Sequence, residues 1–135
     1  MISYADSEDH AARTAVTRAV ITDFARLFYV ERDVRTAFET FVAPGYIQHN
    51  PGIPDGRDAA IAALTPMFSD PAFHADLKRV LADGDYGVIH LHGYHGDQRG
   101  GAVMDLYRLA DRKIVEHWDV IQPIPETAHN DHPLL

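Results

Sequence analysis

After Pro71 the chain consists of four strand-like runs joined by links too short for anything but tight reversals. The runs are Phe73 to Leu81, Tyr86 to His95, Ala102 to Leu109 and Lys113 to Gln122. The links are Ala82-Asp-Gly-Asp85, Gly96-Asp-Gln-Arg-Gly-Gly101 and Ala110-Asp-Arg112. Links of that length and turn chemistry pair consecutive strands antiparallel, so this half of the chain is constrained to a meander.

The half before Pro71 is helical. Val16, Ala19, Val20, Phe24, Leu27 and Phe28 recur at helical spacing, and Val34, Ala37, Phe38 and Phe41 repeat the pattern until Pro44-Gly45. Tyr46 to Asn50 reads as a short extended run, and Pro51 to Gly56 as a loop. Asp55 is expected to cap a third helix that carries Ile61, Leu64 and Phe68 on one face. Helices first and strands afterwards define an α+β fold: a cone-shaped, curved antiparallel sheet with three N-terminal helices across it, enclosing a pocket. Residues 1–135 are expected to form a single domain. Residues 1–8 and 126–135 are expected as flexible or dimer-associated tails.

The net charge of −8 and the absence of a Lys/Arg run argue against nucleic-acid or anionic-membrane partners. Without cysteine there is no disulfide framework, thiol nucleophile or cysteine-based zinc site. The N-terminal stretch is acidic where a signal peptide is basic, and no apolar run approaches membrane-spanning length. A cytoplasmic protein is expected.

Two carboxylates and a histidine interrupt the last two strands: Asp105, and His117 and Asp119. A strand acid that faces a cavity is a candidate for proton transfer, because burial and neighbours tune its ionisation. Strand parity places Tyr46 with Gln48, His90 with His92, and His117 with Asp119. A two-residue turn at Asp111-Arg112 would set Asp105 opposite Trp118; the preferred three-residue turn at 110–112 sets it opposite His117, and an even loop centred on Gln98-Arg99 sets it opposite His92. The expected row is His92, Asp105, His117, with His90 and Tyr107 in the next row and Asp119 diagonal to Asp105. His49 has the wrong parity for the pocket if Tyr46 points inward. The opposite face, with Ile89, Leu91, Trp118 and Val120, is expected to be covered by a second subunit, giving a homodimer.

Tyr46-Ile-Gln-His-Asn-Pro51, Val88-Ile-His-Leu-His92 and Lys113-Ile-Val-Glu-His-Trp-Asp-Val-Ile-Gln-Pro123 resemble a SnoaL-like protein of the nuclear transport factor 2-like superfamily. The resemblance runs from about residue 18 to residue 126. It implies a cone-shaped α+β barrel, dimeric through the sheet, with a pocket on the concave face. SnoaL-type polyketide cyclases perform a metal-independent aldol condensation with an aspartate on the last strand, whose counterpart here is Asp119. Asp105 stands where those enzymes carry a pocket histidine, a departure from their pattern. Limonene epoxide hydrolases, another branch, hold water with a Tyr and an Asn matched here by Tyr46 and Gln48. Their Arg-x-Asp pair is replaced by His90-Leu91-His92, which argues against epoxide chemistry.

The reading that follows is cofactor-free acid/base catalysis on a small carbonyl or enol compound, an aldol-type cyclase or isomerase. Asp119 serves as base, His117, His92 or Tyr46 as acid or oxyanion donor, and Asp105 orients the histidines. Tyr46, Gln48, His90, Tyr107 and Trp118 are candidate substrate contacts; Trp118 is also readable as packing. A metal site of His90, His92, His117 and Asp105 is the first alternative. A non-catalytic small-molecule binder is the second, disfavoured by an expected scarcity of aromatic lining.

Overall fold

The computed structural model describes residues 4–135, with side chains from Ser7 onward. Residues 1–3 of the expected N-terminal tail lie outside the described residues, and residues 4–8 belong to the first helix. That helix, α1 (Tyr4–Ala25), buries Thr17, Ile21, Phe24 and Ala25 along one stripe. It ends in a single π turn, Arg26–Val30. The wider turn rotates two consecutive aromatic residues inward, so that Phe28 and Tyr29 are both buried.

Arg32, at φ 62°, then reverses the chain. Its guanidinium donates to the carbonyls of Phe68, Asp70 and Phe73, which ties this corner to the start of the sheet. Helix α2 (Val34–Phe41) is capped by the Asp33 carboxylate, which accepts from Thr36 N–H at 3.1 Å. Strand β1 (Val42–Gln48) follows directly. Pro44-Gly45 therefore lies within β1, where the pairing with the last strand slips between Val42 and Ile47. Helix α3 (Arg57–Ser69) opens after Gly56, and Asp55 does not cap it. The Asp55 carboxylate instead accepts from Gln48 N–H at 2.7 Å and holds the end of β1.

Strands β2 (Phe73–Asp83), β3 (Tyr86–His95), β4 (Gly101–Ala110) and β5 (Lys113–Pro123) form the expected antiparallel meander. The sheet order is β1-β5-β4-β3-β2, with β1 parallel to β5. The sheet is thus mixed at one edge and not closed into a barrel. The helices cover its concave face. Gly87 lets α1 approach β3: a Cβ there would lie 2.6 Å from Ile21 Cγ1. Phe24, Phe28, Phe38, Phe68 and Tyr107 interlock beneath the helices with ring centroids 4.4–5.5 Å apart. Among the described residues no helix is long and apolar enough to cross a membrane.

The strand register differs from the expected one on both sides of β4. The β4–β5 link is a two-residue turn, with Asp111 and Arg112 at φ 50° and 64° and Ala110 opposite Lys113. The ladder then shifts between Leu109 and Arg108, a bulge that adds one residue on β5. Beyond it Tyr107 faces His117 and Asp105 faces Asp119. On the other side Gly93 pairs with Gly101, and Asp105 faces Ile89 rather than His92. Gly100, at φ 68°, packs so tightly that a Cβ would fall 2.0 Å from the Gly93 carbonyl oxygen. That close approach fixes the loop's exit and moves the β3 partner of Asp105 by three residues. An odd shift exchanges the faces of β3. Ile89 and Leu91 therefore enter the core, and His90 and His92 point away from it.

Candidate functional site

The concave face, α3 and the π turn enclose a cavity of about 250 Å³. Most of its wall is apolar: Phe28, Phe38, Leu64, Met67, Phe68, Phe73, Val103 and Ile121. The expected scarcity of aromatic lining is corrected, because the π turn, α2 and α3 all contribute rings. One wall is polar and carries Tyr29, Tyr46, Gln48, Asn50, Asp105, Tyr107, His117 and Asp119. Among the described residues no Lys or Arg lines the cavity.

Strand parity builds this wall. Asp105 and Asp119 stand opposite one another on β4 and β5, and Tyr107 and His117 form the next row. β1 supplies Tyr46 and Gln48 beside His117, since Gln48 aligns with His117 in the parallel pair. Asp105 is 7% and His117 5% exposed. His117 Nε2 lies 2.8 Å from Asp105 Oδ1, and its Nδ1 lies 2.7 Å from Gln48 Oε1. The Tyr29 hydroxyl donates to Asp105 Oδ2 at 2.6 Å and sits 2.7 Å from the Tyr107 hydroxyl. With the Tyr29 proton given to Asp105, Tyr107 donates to Tyr29. Asn50 Nδ2 donates to Asp119 Oδ2 at 2.6 Å. Gln48 Nε2 donates to the Tyr46 hydroxyl oxygen at 3.3 Å. Among the described residues no buried side-chain polar atom lacks a partner.

Burial raises the ionisation of Tyr29 and Tyr107 well above the ordinary tyrosine range, and the Asp105 charge adds to it. Tyr46 is raised for the same two reasons, burial first. All three phenols are therefore protonated hydrogen-bond donors over the working pH range.

The expected pocket set divides. Asp105, His117, Asp119, Tyr46, Gln48 and Tyr107 line the cavity. His92, His90 and Trp118 do not, and their placement in the pocket is corrected. His92 faces away from the cavity, beside Ala102, with Nε2 2.7 Å from the Arg99 carbonyl oxygen. His90 is bonded to Arg79 at 3.0 Å. Trp118 lies opposite Leu106 on the convex face and stacks on His49 at 4.7 Å. His49 itself pairs with Glu116 at 2.8 Å. The expected convex-face quartet keeps only Trp118 and Val120, since Ile89 and Leu91 are buried in the core.

The expected metal set cannot assemble, because His90 and His92 lie across the sheet from His117 and Asp105. Asp105, His117 and Asp119 each bring one ligand-type atom within 4.8 Å of the others. Their hydrogen bonds already use His117 Nε2, both Asp105 oxygens and one Asp119 oxygen, and a cation would have to break some of them.

Tyr29 and Asn50 are functional candidates that sequence reasoning missed. Tyr29 lies four residues after the buried Ala25, a helical spacing that the stripe ending at Phe28 leaves out, and the π turn seats it beside Phe28. Asn50 closes the Tyr46-x-Gln48-x-Asn50 alternation, which is a legible signal that all three share one face.

The SnoaL-like domain family matches residues 14–117, and the chain belongs to that family. No curated protein matches the chain. Among solved structures, an NTF2-like protein of unknown function from Mesorhizobium loti is 20% identical, with TM-score 0.71, covering 82% of this chain and 93% of its own. A protein assigned as a ketosteroid isomerase from Kribbella flavida is 18% identical, with TM-score 0.68 and coverages of 87% and 85%. One assigned as a polyketide cyclase from Acidithiobacillus ferrooxidans is 19% identical, with TM-score 0.60 and coverages of 78% and 87%. These likenesses establish the NTF2-like fold.

Proposed function

We propose that the protein is a cofactor-free acid/base enzyme that removes a proton beside a carbonyl of a small, uncharged, mainly apolar compound. The reaction is of the isomerase or aldol-cyclase kind. One observation carries the reading. When the hydrogen bonds on the polar wall are assigned, two groups able to take part in proton transfer keep unused capacity among the described residues. One is the O–H of Tyr46, whose oxygen accepts from Gln48 while its own proton has no acceptor. The other is the second oxygen of Asp119, whose first is held by Asn50. An unspent donor and an unspent acceptor at one end of an apolar cavity are what enolisation requires.

In this mechanism Asp119 takes the α-proton and Tyr46 donates a hydrogen bond to the developing enolate oxygen. The proton then returns from Asp119 to the product carbon or to the alkoxide of a new carbon–carbon bond. Asn50 holds the Asp119 carboxylate, and Asp105, His117 and Tyr107 form the fixed wall behind Tyr46. The absence of Lys and Arg from the lining disfavours an anionic substrate, which would meet an uncompensated carboxylate.

The enzyme acts as a cytoplasmic homodimer in this proposal. Val120 is 70% and Met104 46% exposed, and they pair across β4 and β5 on the convex face near Trp118. A second copy would cover that apolar surface.

The test is solvent deuterium exchange into a panel of small neutral ketones and enones. Protein-dependent exchange at the α-carbon is expected. Exchange that required an added divalent cation and stopped with chelator would overturn the cofactor-free reading.

A further inference from the structure

We infer that Gln48 is a positioning residue that forces His117 to carry its proton on Nδ1, so that the Asp105–His117 pair holds one further shared proton and is electrically neutral. The donors and acceptors around the imidazole ring fix the position of this proton. The backbone N–H of Asn50 lies 2.9 Å from Gln48 Oε1. A backbone N–H can only donate, so the Gln48 amide must present its oxygen there; the flipped amide would set two donors against each other. The same oxygen is 2.7 Å from His117 Nδ1. An oxygen cannot donate, so Nδ1 carries hydrogen. The Gln48 NH₂ group is then turned to the Tyr46 oxygen, which agrees with their 3.3 Å contact.

The other ring nitrogen now has a constraint of its own. Nε2 lies 2.8 Å from Asp105 Oδ1, inside a wall where both residues are buried. Two bare acceptors at that distance repel, so a proton lies between them. The second Asp105 oxygen is committed to accepting from Tyr29. The pair therefore contains imidazolium with carboxylate, or imidazole with carboxylic acid, and its net charge is zero in both forms. A histidine protonated on Nε2 alone would leave the pair with a net charge of −1. Gln48 excludes that tautomer.

The other ionisable groups around the ring are Tyr107, at 4.8 Å between centroids, Tyr46, at 6.4 Å, and Asp119, in the same group of side chains. The three nearby phenols are neutral. Asp119 is then the one net negative charge on the polar wall, which suits it to act as base opposite Asp105. This inference deepens the acid/base reading given above, but its test needs no substrate and so stands or falls separately.

The experiment is ring-nitrogen NMR of uniformly ¹⁵N-labelled full-length protein near neutral pH, with His117 assigned by its loss in His117→Asn. The expected spectrum has a protonated Nδ1 in the wild type. In Gln48→Met the acceptor is gone and the Nδ1–H signal should be lost as the ring relaxes to the Nε2–H tautomer. Gln48→Glu keeps an oxygen between Asn50 N–H and Nδ1, and should restore the signal. A wild-type ring with bare Nδ1 and protonated Nε2 would overturn the inference. So would a Gln48→Met ring identical to the wild type. If Gln48→Met does not fold, the wild-type spectrum still decides the matter.

Discussion

The two faces of the sheet carry similar residue types and use them differently. On the concave face an aspartate and a histidine are buried together, and every polar atom of the pair is spoken for. On the convex face His90, His92 and His49 bond to Arg79, a loop carbonyl and Glu116 at or near the water boundary. Residue type alone therefore does not mark a site here. What distinguishes the faces is that burial removes water as an alternative partner, so each concave group depends on one particular neighbour.

The contrast should break most sharply at Asp105. Asp105→Leu leaves His117 Nε2 buried without its partner and takes away the carboxylate that Tyr29 donates to, and should cost about 3–5 kcal/mol of stability in urea unfolding. Gly87→Ala forces a methyl group against Ile21 where α1 meets β3, and should cost about 1–3 kcal/mol by the same assay.

Alkaline pH tests the buried phenols. Their folded-state ionisation is raised above the unfolded value near 10. The stability they contribute is thus complete below about pH 10 and is lost as pH rises toward their folded values. In an ultraviolet titration Tyr29, Tyr46 and Tyr107 should ionise only as the chain unfolds. Replacing Tyr29 by Phe should flatten the stability loss above about pH 10. The smallest effect is expected on the convex face, where His92→Ala should change stability by no more than about 0.5 kcal/mol. A His92→Ala loss as large as that of Asp105→Leu would erase the distinction between the faces.

Element types were readable because periodicity and turn chemistry are local signals. All four meander strands lie within two residues of their expected ends. Tyr46 and Gln48 were placed by simple alternation. Register was not readable in the same way, because it depends on two events with long-range causes. The bulge at Arg108 and Leu109 follows a turn of two non-glycine residues at positive φ, which sequence preference disfavours. The packing of Gly100 on Gly93 is visible only in three dimensions. These two events turned His90 and His92 outward and set Asp119, not His117, opposite Asp105. The pairing of Asp105 with His117 survives as a diagonal contact rather than the expected cross-strand one. The stripe read from the apolar residues stops at Phe28 and so passes over Tyr29, although Tyr29 continues the spacing of Thr17, Ile21 and Ala25.

In the proposed mechanism Asp119 is the base of an enolising site. Asp119→Asn keeps the shape and the Asn50 neighbour but removes the proton-accepting charge. Measured as α-proton exchange on whichever neutral ketone the wild type exchanges, the variant should fold normally, still bind the compound, and lose about 10²–10⁴-fold in rate. A folded Asp119→Asn protein that exchanges at close to the wild-type rate would contradict the account.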